Sequence, residues 1–236
     1  MQNPILVALD VPEASTAVRL AERLAPAVGG FKIGSELFTA AGPEIVGRIR
    51  ALGAPVFLDL KFHDIPNTVA NAVSVAVGLD VQMLTVHTSG GRLMLEAAER
   101  AAQEAARKMG KAAPLVLGVT VLTSLDDGQL AELGLAADAG GQVERLARLG
   151  VQAGLRGLVC SPLEISRLRG IIPSSVQLVT PGIRLTTDSA NDQKRTLSAR
   201  EAIQAGASWL VIGRPICAAA DPVEAARKIL ASIEAT

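Results

Sequence analysis

The sequence predicts an α/β protein built as a closed (β/α)8 TIM barrel, a single domain over residues 1–236. Three observations predict it. Eight short apolar runs alternate with amphipathic stretches, a rhythm that implies right-handed crossovers and a parallel sheet. A chain of 236 residues accommodates eight strand–helix units in one domain. Hydrophobic residues make up 49% of the chain but aromatics only 2%, with no Tyr and one Trp, so the core is packed from Ala, Val, Leu and Ile. That is the palette of buried parallel strands and their covering helices. An open doubly wound sheet usually has fewer strands, and no Gly-x-Gly-x-x-Gly follows the first run.

Taken in order, the first run, 5–9, ends at Asp10, and residues 13–24 follow with Val18, Ala21, Leu24 and Ala25 along one helical stripe. The second run, 30–33, contains Lys32, and the third, 55–60, turns polar at Asp59 and Lys61. The fourth, 83–86, reaches His87 and precedes an Ala-rich helical stretch at 92–109. The fifth, 115–122, ends at Thr123-Ser124, and the sixth, 157–160, at Ser161. The seventh, 177–179, leads into Thr180-Pro181-Gly182, and the eighth, 209–212, into Gly213-Arg214. In a barrel these ends share one rim, the face on which active sites are built. Two polar stretches stand out, 124–134 after the fifth run and 184–195 after the seventh. The second reads either as a lid or as an ordinary solvated loop.

The charge balance excludes several function classes. Twenty-three basic and 23 acidic residues cancel, so no global field attracts nucleic acid or an anionic membrane. The start lacks a signal-peptide pattern, and no run approaches the roughly 18 apolar residues that span a bilayer; a soluble, cytoplasmic protein is expected. Cys160 and Cys217 lie in or just after apolar segments, which favours buried free thiols. His63 and His87 form no His-x-x-x-His spacing and no Cys-x-x-Cys exists, so no metal site is expected.

Two constellations carry chemistry. Pro181-Gly182-Ile183-Arg184 and Ile212-Gly213-Arg214-Pro215 follow the seventh and eighth strands, where barrels commonly bind phosphate. Glycine lets backbone N–H groups approach an anion, and arginine supplies a planar fork of donors. A lone Gly-Arg-Pro would read as a solvated turn; two such loops at these strand ends argue for phosphate. On the third strand, Asp59 and Lys61 are two residues apart and should point the same way, with Asp64 beyond the strand end. A structural ion pair is the alternative, but burying charge carries a desolvation cost that such a pair seldom recovers. Lys32, Asp59, Lys61 and Asp64 form an alternating array in which acid neighbours favour the charged form of each lysine, and a protonated lysine is a proton donor.

The stretch Asp59-Leu60-Lys61-Phe62-His63-Asp64-Ile65-Pro66-Asn67-Thr68-Val69 resembles the signature of the orotidine 5'-phosphate decarboxylase family. The resemblance extends through Leu9-Asp10, Lys32-Ile33-Gly34, Val121-Leu122-Thr123-Ser124, Pro181-Gly182-Ile183-Arg184, Gln193 and Gly213-Arg214, all in family order. It implies decarboxylation of a pyrimidine nucleotide without cofactor or metal, with Lys61 donating the proton that replaces the carboxylate at C6 and Asp59 beside that carboxylate. It implies a homodimer in which Asp64 and Thr68 complete the neighbouring site, with Ile65 also a substrate-binding residue. By the same match Asp10 and Lys32 bind the ribose, and Thr123 and Ser124 meet the pyrimidine. Pro181 borders the substrate, and Arg184, Gln193, Gly213 and Arg214 hold the phosphate. For Asp59 two roles stay open, positioning Lys61 or repelling the substrate carboxylate.

Three rivals remain. Sugar-phosphate decarboxylases or aldolases of the same superfamily use Asp-x-Lys-x-x-Asp with magnesium, but usually lack the Ile-Pro-Asn-Thr continuation and the Thr123-Ser124 pair. Barrels of tryptophan or histidine biosynthesis explain the phosphate loops but not the charged array. A catalytically silent scaffold would not need that array. His63 and His87 receive no role.

Overall fold

The computed structural model describes residues 3–183 and 197–234. Eight parallel strands close into a barrel in chain order: β1 (Ile5–Ala8), β2 (Gly30–Gly34), β3 (Val56–Phe62), β4 (Met83–His87), β5 (Leu115–Val119), β6 (Gly157–Val159), β7 (Gln177–Thr180) and β8 (Trp209–Ile212). Closure comes from the parallel pairing of β1 with β8, in which Leu6 lies beside Val211.

Strand parity divides the apolar residues into two cores. Leu6, Ala8, Phe57, Met83, Leu117, Val179 and Val211 pack together inside the barrel. Their alternate neighbours, such as Val7, Leu58, Leu84, Leu178 and Ile212, belong to the larger core between strands and helices. This is the pleat expressed twice, once on each face of a closed sheet. Small residues make room in the narrow interior: a Cβ on Gly157 would lie 2.5 Å from the Leu117 side chain and 3.1 Å from that of Leu115. Outside, the helix Arg92–Lys108 buries Ala97, Ala98, Ala101, Ala102, Ala105 and Ala106. Such a small-residue stripe permits close packing on the neighbouring helix Pro66–Gly78.

Several boundaries differ from the sequence reading, most of them by one residue. β3 runs to Phe62 rather than stopping at residue 60, because it is carried across a bulge. β5 stops at Val119; Thr120 still bonds to Val159 on β6, and the apolar Val121 and Leu122 lie past the strand end. The polar stretch after β5 holds a short helix, Asp127–Glu132, nucleated by a capping box between Asp126 and Gln129. The first helix is Ala14–Leu24, followed by a 3-10 turn at Ala25–Ala27 with Pro26 in its first positions. Among the described residues, no helix is long and apolar enough to cross a membrane.

Candidate active site

Inward parity brings charged residues from three strands to the C-terminal rim. On β2, Lys32 follows Gly30 on the inner face, and its neighbours in register are Ala8 on β1 and Phe57 on β3. Asp59 is the next inward residue on β3 and lies beside Gly34. The Lys32 ammonium is 2.9 Å from Asp10 Oδ1 and 3.8 Å from Asp59 Oδ2. Lys61 Nζ donates to both oxygens of Asp59 at 2.9 Å. Asp10, Lys32, Asp59 and Lys61 therefore form a continuous chain of alternating charge. Lys32 and Asp59 side chains are nearly dry, at 10% and 13% exposure, whereas Asp10 is open at 55%. Two buried charges at that depth are tolerable only with such close mutual pairing.

The backbone around this array is specialised. Lys61 has φ 52°, one of two non-glycine residues in the left-handed region among those described, a conformation that is uncommon for lysine. The expected same-side arrangement of Asp59 and Lys61 is present, but regular strand pleating does not produce it. Between β3 and β4 the register steps from Leu58 opposite Leu84 to Phe62 opposite Val86, so four residue steps on β3 face two on β4. That bulge turns Lys61 back over Asp59. Gly34 fits closely beside the array: a Cβ there would lie 2.9 Å from Lys32 Nζ and 3.3 Å from Asp10 Oδ1, so those side chains would have to shift.

A cavity of about 180 Å³ opens beside these charges. Lys32, Asp59 and Lys61 line one side, and Val119, Val159 and Val211 are among its apolar walls. Thr123 and Pro181 reach it from the ends of β5 and β7. The arrangement sets a cationic group against an apolar pocket at the mouth of a closed barrel, where low dielectric strengthens its action on developing negative charge.

Other sequence candidates fall differently. Ser124 is exposed beyond Thr123. Gly213 lies near Asp10, with its Cβ position 3.9 Å from Asp10 Oδ2, and Arg214 is exposed at the start of the short helix Arg214–Cys217. Arg184 and Gln193, with the rest of the polar stretch up to residue 196, lie outside the described residues. Asp64 does not join the array: among the described residues it makes no ion pair with Lys32 or Lys61, and its carboxylate accepts from the Ile65 N–H at 2.6 Å. Asp64, Ile65 and Thr68 are all exposed, Ile65 at 66%.

The remaining titratable groups have quieter roles. His63 and His87 rings lie 5.4 Å apart, inclined at 43°. Burial, then the charges of His63 and Lys61, push the His87 pKa down. Burial pushes the Cys160 thiol up to about 12 and the half-buried Cys217 thiol up to about 11, so neither is a ready nucleophile at neutral pH. Among the described residues, no three His, Cys, Asp or Glu side chains gather as a metal-ligand set. The sequence reading overlooked Thr85, whose hydroxyl touches both Asp59 and the Lys61 backbone. Its signal was faint: one hydroxyl at inward parity between Met83 and His87 in an otherwise apolar run.

The family profile described as orotidine 5'-phosphate decarboxylase / HUMPS matches residues 3–229. The chain is 51% identical to an orotidine 5'-phosphate decarboxylase of Opitutus terrae, over 99% of this chain and 100% of that one. It is 50% identical to one of Paramagnetospirillum magneticum, over 99% of both chains. The solved orotidine 5'-phosphate decarboxylase of Lactobacillus acidophilus superposes with a TM-score of 0.87 at 34% identity, over 99% of this chain and all of that one. The shared barrel, the charged rim and near-complete coverage lead to one conclusion: this chain belongs to the orotidine 5'-phosphate decarboxylase / HUMPS family.

Proposed function

We propose that this chain decarboxylates orotidine 5'-phosphate to uridine 5'-phosphate and carbon dioxide in pyrimidine biosynthesis, in the cytoplasm and without metal or cofactor. The observation that carries the reading is the Lys32–Asp59–Lys61 array facing an apolar cavity. The names of relatives at about half identity over the full chain agree with it.

Loss of carbon dioxide breaks the bond between C6 and the carboxylate and leaves the electron pair on C6. No adjacent sink accepts that pair, so stabilisation falls to a preorganised positive charge. Lys61 supplies it and then transfers a proton to C6, regaining one from solvent. Its two hydrogen bonds to Asp59 support a positioning role for that carboxylate. Asp10 and Lys32, paired at 2.9 Å, are suited to the ribose hydroxyls, and Thr123 and Ser124 to the polar edge of the pyrimidine. The phosphate falls to Gly213 and Arg214 beside Pro181, together with Arg184 and Gln193.

The exposure of Asp64, Ile65 and Thr68 supports a second copy of the chain as their partner. In that homodimer Asp64 and Thr68 complete the neighbouring site. Neither nucleic acid nor membrane is a partner.

The test follows the ultraviolet absorbance of orotidine 5'-phosphate with purified protein in excess chelator. Catalytic loss of the substrate signal is the expected result. No loss of that signal, with or without added magnesium, would overturn the reading, and loss only with added magnesium would overturn its metal independence.

A further inference from the structure

We propose that Thr85 is a positioning residue for this reaction, locking Asp59 and Lys61 into one hydrogen-bonded unit. The inference rests on the reading of that pair as the reacting centre. Thr85 is fully buried on β4, facing the bulge in β3, and it has no register partner on that strand. The Lys61 N–H donates to Thr85 Oγ1 at 2.9 Å. The hydroxyl in turn donates to Asp59 Oδ1 at 3.0 Å, and the same carboxylate oxygen accepts from Lys61 Nζ at 2.9 Å. These contacts close a ring that begins and ends on Lys61, running through the β4 hydroxyl and the β3 carboxylate.

The chemistry of the ring calls for a hydroxyl. One small oxygen must accept from the amide and donate to the carboxylate, which Thr and Ser do and Val and Ala do not. The Thr methyl adds restraint on χ1 in a strand. Lys61 also holds φ 52°, a backbone state that persists only where surrounding contacts over-determine it. Without the Thr85 acceptor that restraint weakens, Asp59 loses a donor, and the Lys61 ammonium is free to drift. A shift of about 1 Å at a reacting centre costs on the order of 10²-fold in rate.

Thr85→Ala and Thr85→Ser both lose the methyl and differ only in the hydroxyl, so their ratio isolates the ring from any packing cost. Turnover of orotidine 5'-phosphate and affinity for uridine 5'-phosphate are measured for both. The expected kcat of Thr85→Ser is within about threefold of wild type, and that of Thr85→Ala about 10²-fold lower, with KM and product affinity of both changed by less than about threefold. A structural role alone would lower the stability of both and leave kcat per folded enzyme the same. Equal kcat for the two variants, or a loss confined to KM, overturns the proposal. Thr85→Val keeps the methyl and should match Thr85→Ala; should it not fold, the Ser-to-Ala ratio decides alone. An inactive wild type overturns the proposed function, and this inference with it, so the two failures are distinguishable.

Discussion

Lys61→Ala removes the ammonium from the centre of the proposed chemistry while sparing the fold. The Lys61 side chain is 34% exposed, so its removal leaves solvent-accessible space rather than a dry cavity. Asp59 is not orphaned, because it keeps the Thr85 hydroxyl at 3.0 Å and Lys32 at 3.8 Å. Alanine inherits the left-handed backbone at this position without a new steric cost, since lysine already bears it. A proton donor works within hydrogen-bond reach, about 3 Å. At that separation and an effective dielectric of about 20, the interaction between an ammonium and a carbanion is roughly 5.5 kcal/mol. At 1.36 kcal/mol per decade that corresponds to about 10⁴ in rate, before any loss from the missing proton. The assay is the decrease in substrate absorbance at saturating nucleotide, with binding of uridine 5'-phosphate as the control for an intact site. Turnover within about tenfold of wild type, with normal product binding, would refute the reasoning, since no other group in the array supplies a proton at Lys61's position.

Three further outcomes are expected, the first of them resting on the proposed homodimer. Asp64→Ala and Lys61→Ala subunits, each inactive alone, should recover activity on mixing because one hybrid site retains both groups; demonstrated subunit exchange without recovery would exclude a shared site. Gly34→Ala puts a Cβ 2.9 Å from Lys32 Nζ, the flexible end of its side chain, so the fold should survive while KM rises about tenfold through a displaced Lys32–Asp10 pair; an unchanged KM would separate that pair from substrate binding. His87 has a pKa lowered from 6.5, first by burial and then by electrostatic interaction with His63 and Lys61. The folded state therefore binds fewer protons than the unfolded state between the two pKa values, so its stability contribution is complete above about pH 6.5 and is lost as pH falls through the folded value. Thermal midpoints of wild type and His87→Gln at pH 7.5 and 5.5 test this, and the variant should lose less on acidification; equal losses would contradict it.

The barrel was legible because its signals are local and periodic. Apolar runs such as 5–9 and 209–212 recur with amphipathic stretches between them, and each polar end marks the same rim. The sequence placed Lys32 and Asp59 at neighbouring strand ends; the structure puts both on the inner face, where register brings them together. Boundaries were less legible where pairing decides them: Val121 and Leu122 are as apolar as the strand before them, yet they lie past its end. Apolarity does not report pairing: past the strand end Val121 is buried and Leu122 is exposed.

What the sequence determined by itself is the barrel, the rim and the residue types gathered there, because side-chain alternation depends only on neighbours along the chain. The tertiary structure decided how those residues meet. It set Lys32 against Asp10 and Asp59, turned Asp64 away from the array it had been grouped with, and delivered the Thr85 hydroxyl to the Lys61 backbone. Each of these depends on the register between strands, above all on the bulge between Leu58 and Phe62. A bulge forms through pairing with a partner strand more than twenty residues away, and no local period encodes it.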